Sequence, residues 1–177
     1  ALSVAEDDLS IQWPAALSPS PRPMRMLSAF ARVLQDASDQ READLVLIET
    51  PSNPLLRLVD LQPTIETVHA AGALAMADNT FCSPLRQRPI EFGADVVVHS
   101  TTKFINGHSD VVGGAVVAAD EDLGEHLKFW ANVIGVTAGA FDSWLALRGL
   151  RTLDARVRVH DANAAEISSA MKSPSFG

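Results

Sequence analysis

Short runs of apolar residues alternate with amphipathic segments from Asp44 onward, and this alternation constrains the fold more than any other feature of the sequence. The runs lie at 44–49, 73–78, 94–100 and 113–119 and have the sequences DLVLIE, ALAMAD, ADVVVHS and GGAVVAA. Continuous apolar strands of this length are typical of a parallel sheet that is covered on both faces. The sequence therefore predicts an α/β fold with a mainly parallel sheet and flanking helices.

Four segments have the apolar spacing of helices that pack on such a sheet. In residues 61–72, the side chains of Leu61, Ile65 and Val68 fall on one face, and Gly72 is a stop signal. The other predicted helices are 120–135, 140–149 and 153–171.

The first forty residues differ from the rest of the chain. Residues 13–25, WPAALSPSPRPMR, are rich in proline and serine and lack periodicity, so we expect a loop there. Residues 26–38 carry apolar side chains at helical spacing, which predicts one helix between this loop and the regular alternation.

Composition limits the compartment and the partners. Cys82 is the only cysteine, so an internal disulfide is impossible, and we expect a reducing, cytoplasmic location. Fourteen basic residues against 22 acidic ones give a net charge of −8, which argues against nucleic acid as the main partner. Apolar runs stay well below the ~18 residues that span a bilayer, so we expect no membrane partner.

Three of the predicted strands end in polar residues. In an open parallel sheet, ligands bind outside the carboxyl ends of the strands, so the side chains that follow these ends are expected to form one site. The segments are 49–53, 78–80 and 100–103, with the sequences ETPSN, DNT and STTK. This grouping places Lys103 with Asp78 and Asn53.

These residue types suit one kind of chemistry. The hydroxyls of Ser100 and Thr102 can hold phosphate oxygens, while the amine of Lys103 condenses with a carbonyl group. Asp78 can hold a protonated pyridine nitrogen, and a lysine paired with such an aspartate is what pyridoxal phosphate (PLP) requires. Asn53 can hydrogen-bond the ring oxygen of the same cofactor.

Each of these residues also has a purely structural interpretation. A lysine at a strand end is usually solvated, and residues 78–80 are equally typical of a turn or a helix N-cap. Asn53 lies between two prolines, where a turn residue is the default expectation.

A metal site at His99, His108 and Asp110 is a third interpretation. Their spacing fits no common ligand pattern, so we expect no bound metal. Cys82 is interpreted as a small core or loop residue, because the pattern places no base beside it.

Four segments together resemble one enzyme family. They are 49–54, 77–81, 93–114 and 139–153, with the sequences ETPSNP, ADNTF, GADVVVHSTTKFINGHSDVVGG and GAFDSWLALRGLRTL. In order and spacing they resemble the Cys/Met-metabolism PLP enzymes, the trans-sulfuration group, over about residues 44–165. The resemblance implies part of the large domain of a fold type I, aspartate-aminotransferase-like transferase, with PLP as cofactor.

The resemblance also implies a role for six residues. Lys103 is both catalytic and cofactor-binding, because it holds PLP covalently and then moves protons between substrate carbons. Asp78 binds the pyridine nitrogen. The other implied cofactor contacts are Ser100 and Thr102 at the phosphate, Asn53 at the phenolic oxygen and Thr80 near the ring.

Within the group, residues 130–153 are most similar to the enzymes that replace the γ-substituent of O-succinylhomoserine with the thiol of cysteine. Lyases that cleave cystathionine and O-acylhomoserine sulfhydrylases are near neighbours, and the local motifs do not separate these branches. The resemblance further implies amino-acid substrates and a homo-oligomer, either a dimer or a tetramer.

The chain also departs from the family pattern. Family members have an upstream glycine-bearing phosphate loop and a tyrosine stacked on the cofactor, but residues 1–40 show no such loop and the sequence contains no tyrosine. We therefore expect the middle of an enzyme: a divergent, proline-rich lead with one helix at 1–42, a partial PLP-binding large domain at 43–150, and at 151–177 the start of a helix that links to a C-terminal domain. An alternative of another class is a non-catalytic remnant that keeps Lys103 by descent.

Overall fold

A six-stranded sheet flanked by helices forms the framework of the computed structural model, which describes residues 10–11, 24–29 and 43–172. The alternation of strands and helices predicted from the sequence is confirmed. The strands, in both chain and sheet order, are β1 (Ser10–Ile11), β2 (Met24–Ala29), β3 (Leu45–Glu49), β4 (Leu74–Asp78), β5 (Val96–Ser100) and β6 (Gly114–Ala118). The helices are α1 (Leu61–Ala70), α2 (Ser83–Arg86), α3 (Glu121–Ile134), α4 (Ala140–Arg151) and α5 (Leu153–Met171), with a 3₁₀ turn at Pro89–Phe92.

The sheet is mainly parallel, as predicted. Strands β2, β3, β4 and β5 pair in parallel in that order, and the short β1 pairs antiparallel with β2. At the carboxyl ends of the strands, Glu49 is the register partner of Asp78, and Asp78 is the partner of Val98. The described helices include none that is long and apolar enough to cross a membrane.

The helix predicted over residues 26–38 is wrong where the structure describes it. Met24–Ala29 is a strand that pairs with β3 from Met26 opposite Leu45 to Ala29 opposite Ile48. The pairing supplies backbone hydrogen bonds from a neighbouring strand, and such tertiary contacts outweigh a weak local helical pattern. The loop predicted over residues 13–25 is also wrong at its end, because Met24 and Arg25 belong to β2 and pair with β1. Residues 13–23 of that loop and residues 30–38 of the predicted helix lie outside the described residues.

The chain divides into two compact units, Ala1–His99 with Ala115–Val136 and Ser100–Gly114 with Thr137–Gly177. In the first unit, α1 buries the three apolar side chains that the sequence pattern selected, Leu61, Ile65 and Val68. They belong to a cluster that includes Val46, Ile48, Ala75, Ala77, Ala94 and Val97 of the sheet region. Burying each Val, Leu or Ile side chain stabilises the unit by about 1.5–3 kcal/mol before entropy is counted.

The end of α1 is joined to the sheet by Asp95, the residue before β5. Its Oδ2 lies 2.8 Å from His69 Nε2 and accepts a hydrogen bond from the backbone N–H of Ala75 at 2.7 Å. Gly72 follows α1 with φ of +80°, a conformation that glycine adopts without the steric cost of a side chain. The predicted stop of this helix is therefore confirmed.

Strand β6 differs from the prediction of a sheet covered on both faces. Val116 and Val117 are 57% and 47% exposed, although their apolar run correctly predicts a strand. Burial depends on which elements pack against a strand, and an apolar run alone does not specify those elements.

The second unit contains the loop after β5 together with α4 and α5. The two helices adjoin at Thr152, and the residues they bury are Leu145, Gly149, Leu153 and Val157. The loop runs from Thr101 to Gly113 and begins with a series of turns that contains Lys103. This unit therefore carries the lysine that the sequence analysis singled out.

Candidate functional site

The carboxyl ends of β3 and β4 lie side by side in the first unit. Glu49 and Asp78, the last residues of these strands, are register partners, and both are half-buried. The prediction that the segments after these two strands lie at one sheet edge is confirmed. A parallel sheet produces this result, because its strands all end at the same edge.

The carboxylate of Asp78 is held by the turn that follows it. Its Oδ1 accepts the backbone N–H of Thr80 at 2.9 Å, the side-chain-to-backbone contact of an Asx-turn. The structural interpretation of residues 78–80 as a turn is thus correct, and the same bond brings two predicted site residues together. It also fixes the orientation of the Asp78 carboxylate.

The residue between them, Asn79, is buried in a network that sequence reasoning missed. Asn79 is 1% exposed and its Nδ2 donates to the carbonyl of Gln87 at 2.6 Å. Gln87 Nε2 donates to Asn79 Oδ1 at 3.1 Å and to the carbonyl of Thr50 at 3.0 Å. Gln87 therefore connects the segment after β4 with the segment after β3.

Asn53 lies in a loop whose ends are fastened together. Thr50 Oγ1 accepts the N–H of Val59 at 3.0 Å and donates to the Val59 carbonyl at 3.3 Å. Within the loop, the N–H of Ser52 donates to the Arg57 carbonyl at 3.0 Å. Asn53 itself is exposed, while the loop that carries it is held at both ends by these hydrogen bonds.

His99 is a buried histidine one residue before the end of β5. It is 7% exposed, and its Nδ1 has no hydrogen-bond partner among the described residues. Burial lowers the pKa of His99 below its usual 6.5, while the charge of Asp78 and a hydrogen bond with the Asn79 backbone partly oppose that change. His99 is therefore electrostatically coupled to the carboxylate of Asp78 and favours its neutral form.

Lys103 lies in the second unit, three residues after the last residue of β5. Its backbone N–H donates to the carbonyl of Ser100 at 3.2 Å, and its own carbonyl accepts the N–H of Gly107 at 2.8 Å. The Lys103 side chain is exposed. The backbone of Lys103 is thus hydrogen-bonded on both sides while its side chain is exposed, and its joint role with Asp78 stays a prediction.

The two hydroxyl-bearing candidates flank this turn. Ser100 is the half-buried last residue of β5. Thr102 Oγ1 accepts the N–H of Gly113 at 3.0 Å and donates to the Gly113 carbonyl at 3.3 Å. The hydroxyl of Thr102 therefore also closes the loop on itself, a structural role that the sequence pattern did not predict.

The alternative of a metal site receives no support from the geometry of His108 and Asp110. Asp110 accepts hydrogen bonds from Asn106 Nδ2 at 2.7 Å and from Arg148 at 2.5 Å, and these contacts hold the pKa of Asp110 below its usual range. His108 Nδ1 lies 2.5 Å from the Asn106 carbonyl. In residues 10–11, 24–29 and 43–172, no group of three or more His, Cys, Asp or Glu residues could hold a metal ion.

Comparison with known proteins places the chain in one family. The family model for "Cys/Met metabolism PLP-dependent enzyme" matches residues 24–175. Cystathionine gamma-synthase of Escherichia coli K12 is 55% identical over 123 residues, which are 70% of this chain and 32% of that protein. Cystathionine gamma-lyase of Bacillus subtilis 168 is 49% identical over 124 residues, 70% of this chain and 33% of the relative.

A solved structure agrees with both matches. The crystal structure of cystathionine gamma synthase from Xanthomonas oryzae pv. oryzae, in complex with aminoacrylate and cysteine, superposes with a TM-score of 0.77 at 58% identity. The match covers 81% of this chain and 37% of that chain. The chain thus spans about a third of the length of the relatives it matches.

Proposed function

The chain belongs to the Cys/Met metabolism PLP-dependent enzymes, and on that premise we propose that it functions in trans-sulfuration as a cystathionine gamma-synthase. Two synthases, from E. coli at 55% identity and from X. oryzae at 58%, are more similar to the chain than the lyases at 49% and 50%, and this supports the synthase branch. Other synthases, at 46–49%, overlap the lyases, so turnover has to decide between the branches. The observation that carries the proposal is the sequence STTK at the end of β5, beside a strand that ends in Asp78.

The chemistry of the donor set fits PLP. A phosphate needs hydroxyl or N–H donors, a pyridine nitrogen needs a carboxylate, and the aldehyde carbon needs an amine. Ser100 and Thr102 supply the hydroxyls, Asp78 the carboxylate and Lys103 the amine. Each lies at or just after the carboxyl end of a parallel strand, where α/β proteins bind ligands.

We assign the roles as follows. The hydroxyls of Ser100 and Thr102 donate to phosphate oxygens, and Asp78 keeps a proton on the pyridine nitrogen. The hydrogen bond from Thr80 to Asp78 Oδ1 keeps that carboxylate in one orientation, which is how Thr80 supports the ring. The amide of Asn53 donates to the phenolic oxygen. Lys103 takes and returns protons at its Nζ.

Bound PLP acts as an electron sink for carbons of an amino-acid substrate. In the proposed reaction the Cγ–O bond of O-succinylhomoserine breaks and succinate leaves with the bonding electron pair. The sulfur of cysteine forms the new bond to Cγ, and its thiol proton is released, so the products are cystathionine and succinate. Lys103 Nζ would move the protons at Cα and Cβ that this exchange requires.

Cofactor binding tests the assignment of Lys103. The chain has three lysines, Lys103, Lys128 and Lys172, so covalent capture can be located without ambiguity. Added PLP, trapped with borohydride, is expected on Lys103 in the native chain and in Lys128→Ala but not in Lys103→Ala. Lys128 is the matched control because it is exposed and pairs with Glu125. Labelling of all three lysines to the same extent would refute the assignment.

Turnover tests the reaction branch. Incubation with O-succinylhomoserine and cysteine is expected to yield cystathionine and succinate. Incubation with cystathionine alone tests the lyase branch, and faster consumption there than synthesis would replace the proposal with a lyase. Capture of PLP without either reaction would leave a cofactor-binding remnant.

A further inference from the structure

The guanidinium of Arg156, near the start of α5, is surrounded by backbone acceptors. Its Nη1 donates to the carbonyl of Phe104 at 2.8 Å, and its Nη2 donates to the carbonyls of Ile105 at 3.1 Å and Gly149 at 2.7 Å. Its Nε donates to Thr152 Oγ1 at 3.0 Å. Hydrogen bonds from a charged donor are stronger than neutral ones, so these four bonds hold the side chain in one position.

Two of these acceptors directly follow Lys103 in the chain. Phe104 and Ile105 form the middle of the turn whose other bonds are Lys103 N–H to Ser100, Gly107 N–H to Lys103 and Asn106 N–H to Thr101. All of these bonds involve the backbone. The path of the chain at Lys103 is therefore set by the turn itself and by the guanidinium of a residue about fifty positions later.

Two glycines, Gly107 and Gly149, leave the space that the Arg156 guanidinium and the carbonyls of the Lys103 turn occupy. Gly107 has a φ of +68°, and a Cβ there would overlap the guanidinium of Arg156. Gly149 lies inside α4, and a Cβ there would overlap the carbonyl oxygens of Ile105 and Asn106. Both glycines allow the close approach of these groups because they lack a side chain. In addition, the ring of Phe104 contacts the ring of His160 on α5 edge to face.

We propose that Arg156 is a positioning residue for Lys103, which it acts on by fixing the carbonyls of the two residues that follow the lysine. This inference rests on the proposed role of Lys103. A planar guanidinium carries five N–H donors and can bond three carbonyls and a hydroxyl at once, whereas an ammonium is a compact group that cannot span the same acceptors. Lysine at position 156 is therefore expected to keep the charge and lose the positioning.

The test compares Arg156→Gln and Arg156→Lys with Arg158→Gln. Arg158 lies on the same helix and pairs with Asp154 at the exposed surface, which makes it a matched control. The first readout is amide exchange in residues 101–107, which needs no cofactor. Losing several charged hydrogen bonds is expected to speed exchange roughly tenfold or more in both Arg156 variants, and to leave Arg158→Gln unchanged.

The second readout is the reactivity of the Lys103 amine. Formaldehyde and cyanoborohydride methylate lysines, and mass spectrometry gives the rate at Lys103 relative to Lys128 in the same sample. We expect this ratio to change about threefold or more in Arg156→Gln and Arg156→Lys only. PLP capture at Lys103 is expected to slow in the same two variants.

The outcomes separate the inference from the proposed function. Failure of the native chain to capture PLP at Lys103 would overturn the proposed function, and the methylation ratio would still decide the positioning role. Faster amide exchange with an unchanged methylation ratio would overturn the positioning role, because Arg156 would then be structural only. If Arg156→Gln loses its helical circular dichroism, Thr152→Ala replaces it, because it removes the hydroxyl that accepts from Nε and keeps the guanidinium.

Discussion

Asn79 and Gln87 bond each other twice, through Asn79 Nδ2 to the Gln87 carbonyl at 2.6 Å and Gln87 Nε2 to Asn79 Oδ1 at 3.1 Å. The same Nε2 reaches the Thr50 carbonyl, so one side chain satisfies polar groups behind both strand ends. Neither residue belongs to the set expected to touch a ligand. Together they hold the segments that carry Asp78 and Asn53.

Replacing Gln87 tests the importance of this contact. Gln87→Ala removes the donor to Asn79 Oδ1, which is buried, and to the Thr50 carbonyl, so we expect a loss of about 1–3 kcal/mol in the free energy of unfolding. Urea denaturation followed by circular dichroism measures it. Gln62→Ala is the control, because Gln62 donates to Glu66 on an exposed helix surface and is expected to change stability by less than about 0.5 kcal/mol. Equal midpoints for the two variants would contradict the prediction.

Two helical glycines predict opposite responses to alanine. A Cβ at Gly149 would overlap backbone carbonyls of the Lys103 turn, so Gly149→Ala is expected to destabilise by roughly 1–3 kcal/mol despite the higher helix propensity of alanine. A Cβ at Gly124 in α3 would meet Ala118 Cβ at 3.7 Å, an ordinary contact, so Gly124→Ala is expected to stabilise by up to about 1 kcal/mol. Thermal unfolding compares them, and a stabilised Gly149→Ala would show that the two segments do not pack closely.

His99 predicts a pH dependence of stability. Because burial lowers its pKa in the folded state, the unfolded chain takes up a proton near pH 6.5 and the folded chain does so only at lower pH. The contribution of His99 is therefore fully present above about pH 6.5 and is lost as the pH falls toward the lower folded-state pKa. Urea midpoints between pH 8 and 5 should fall less steeply in His99→Asn than in the native chain. The exposed His126 gives the control variant His126→Asn, which should follow the native slope, and a His99→Asn slope equal to it would contradict the prediction.

The burial of Cys82 predicts that its thiol reacts slowly with disulfide reagents. Burial raises the pKa of the Cys82 thiol above its usual 9.0, so less of the reactive thiolate is present near pH 8. The reaction with a disulfide reagent is expected to be slower in the folded chain than in the chain unfolded in urea. Since Cys82 is the only cysteine, a single absorbance trace measures it, and Cys82→Ser supplies the blank. Faster reaction in the folded chain would mean that the thiol is activated.

Strands β3 to β6 and helices α1, α3, α4 and α5 were predictable from their apolar patterns, whereas the short helix α2 and the 3₁₀ turn at Pro89–Phe92 were not predicted. The pattern in 61–72 selected the three buried residues of α1, and the polar strand ends correctly placed Glu49 beside Asp78. The strand at Met24–Ala29 was not predictable from its local spacing, because its conformation depends on hydrogen bonds to β3.

The hydrogen bonds that support the candidate site could also not be predicted from the sequence. Asn79 bonds Gln87, which lies 8 residues later, and Arg156 bonds Phe104 across 52 residues, so neither contact has a local pattern that predicts it. One signal was present and was not used. An isolated glycine in a helical pattern costs about 1 kcal/mol relative to alanine, so a glycine such as Gly149 indicates a packing reason for the missing side chain.

The fixed backbone and exposed side chain of Lys103 determine how fast its amine can change position. The turn anchors the Cα of Lys103 through bonds to Ser100 and Gly107, so the amine changes position by rotation about side-chain bonds alone. Exposed side chains make such rotations in picoseconds to nanoseconds, whereas rearranging a loop takes nanoseconds to microseconds. Typical enzymes turn over at about 1–10³ per second, so under the proposed function the amine can sample many positions within one reaction cycle. In the proposed reaction, the motion of this lysine is therefore far too fast to limit the rate.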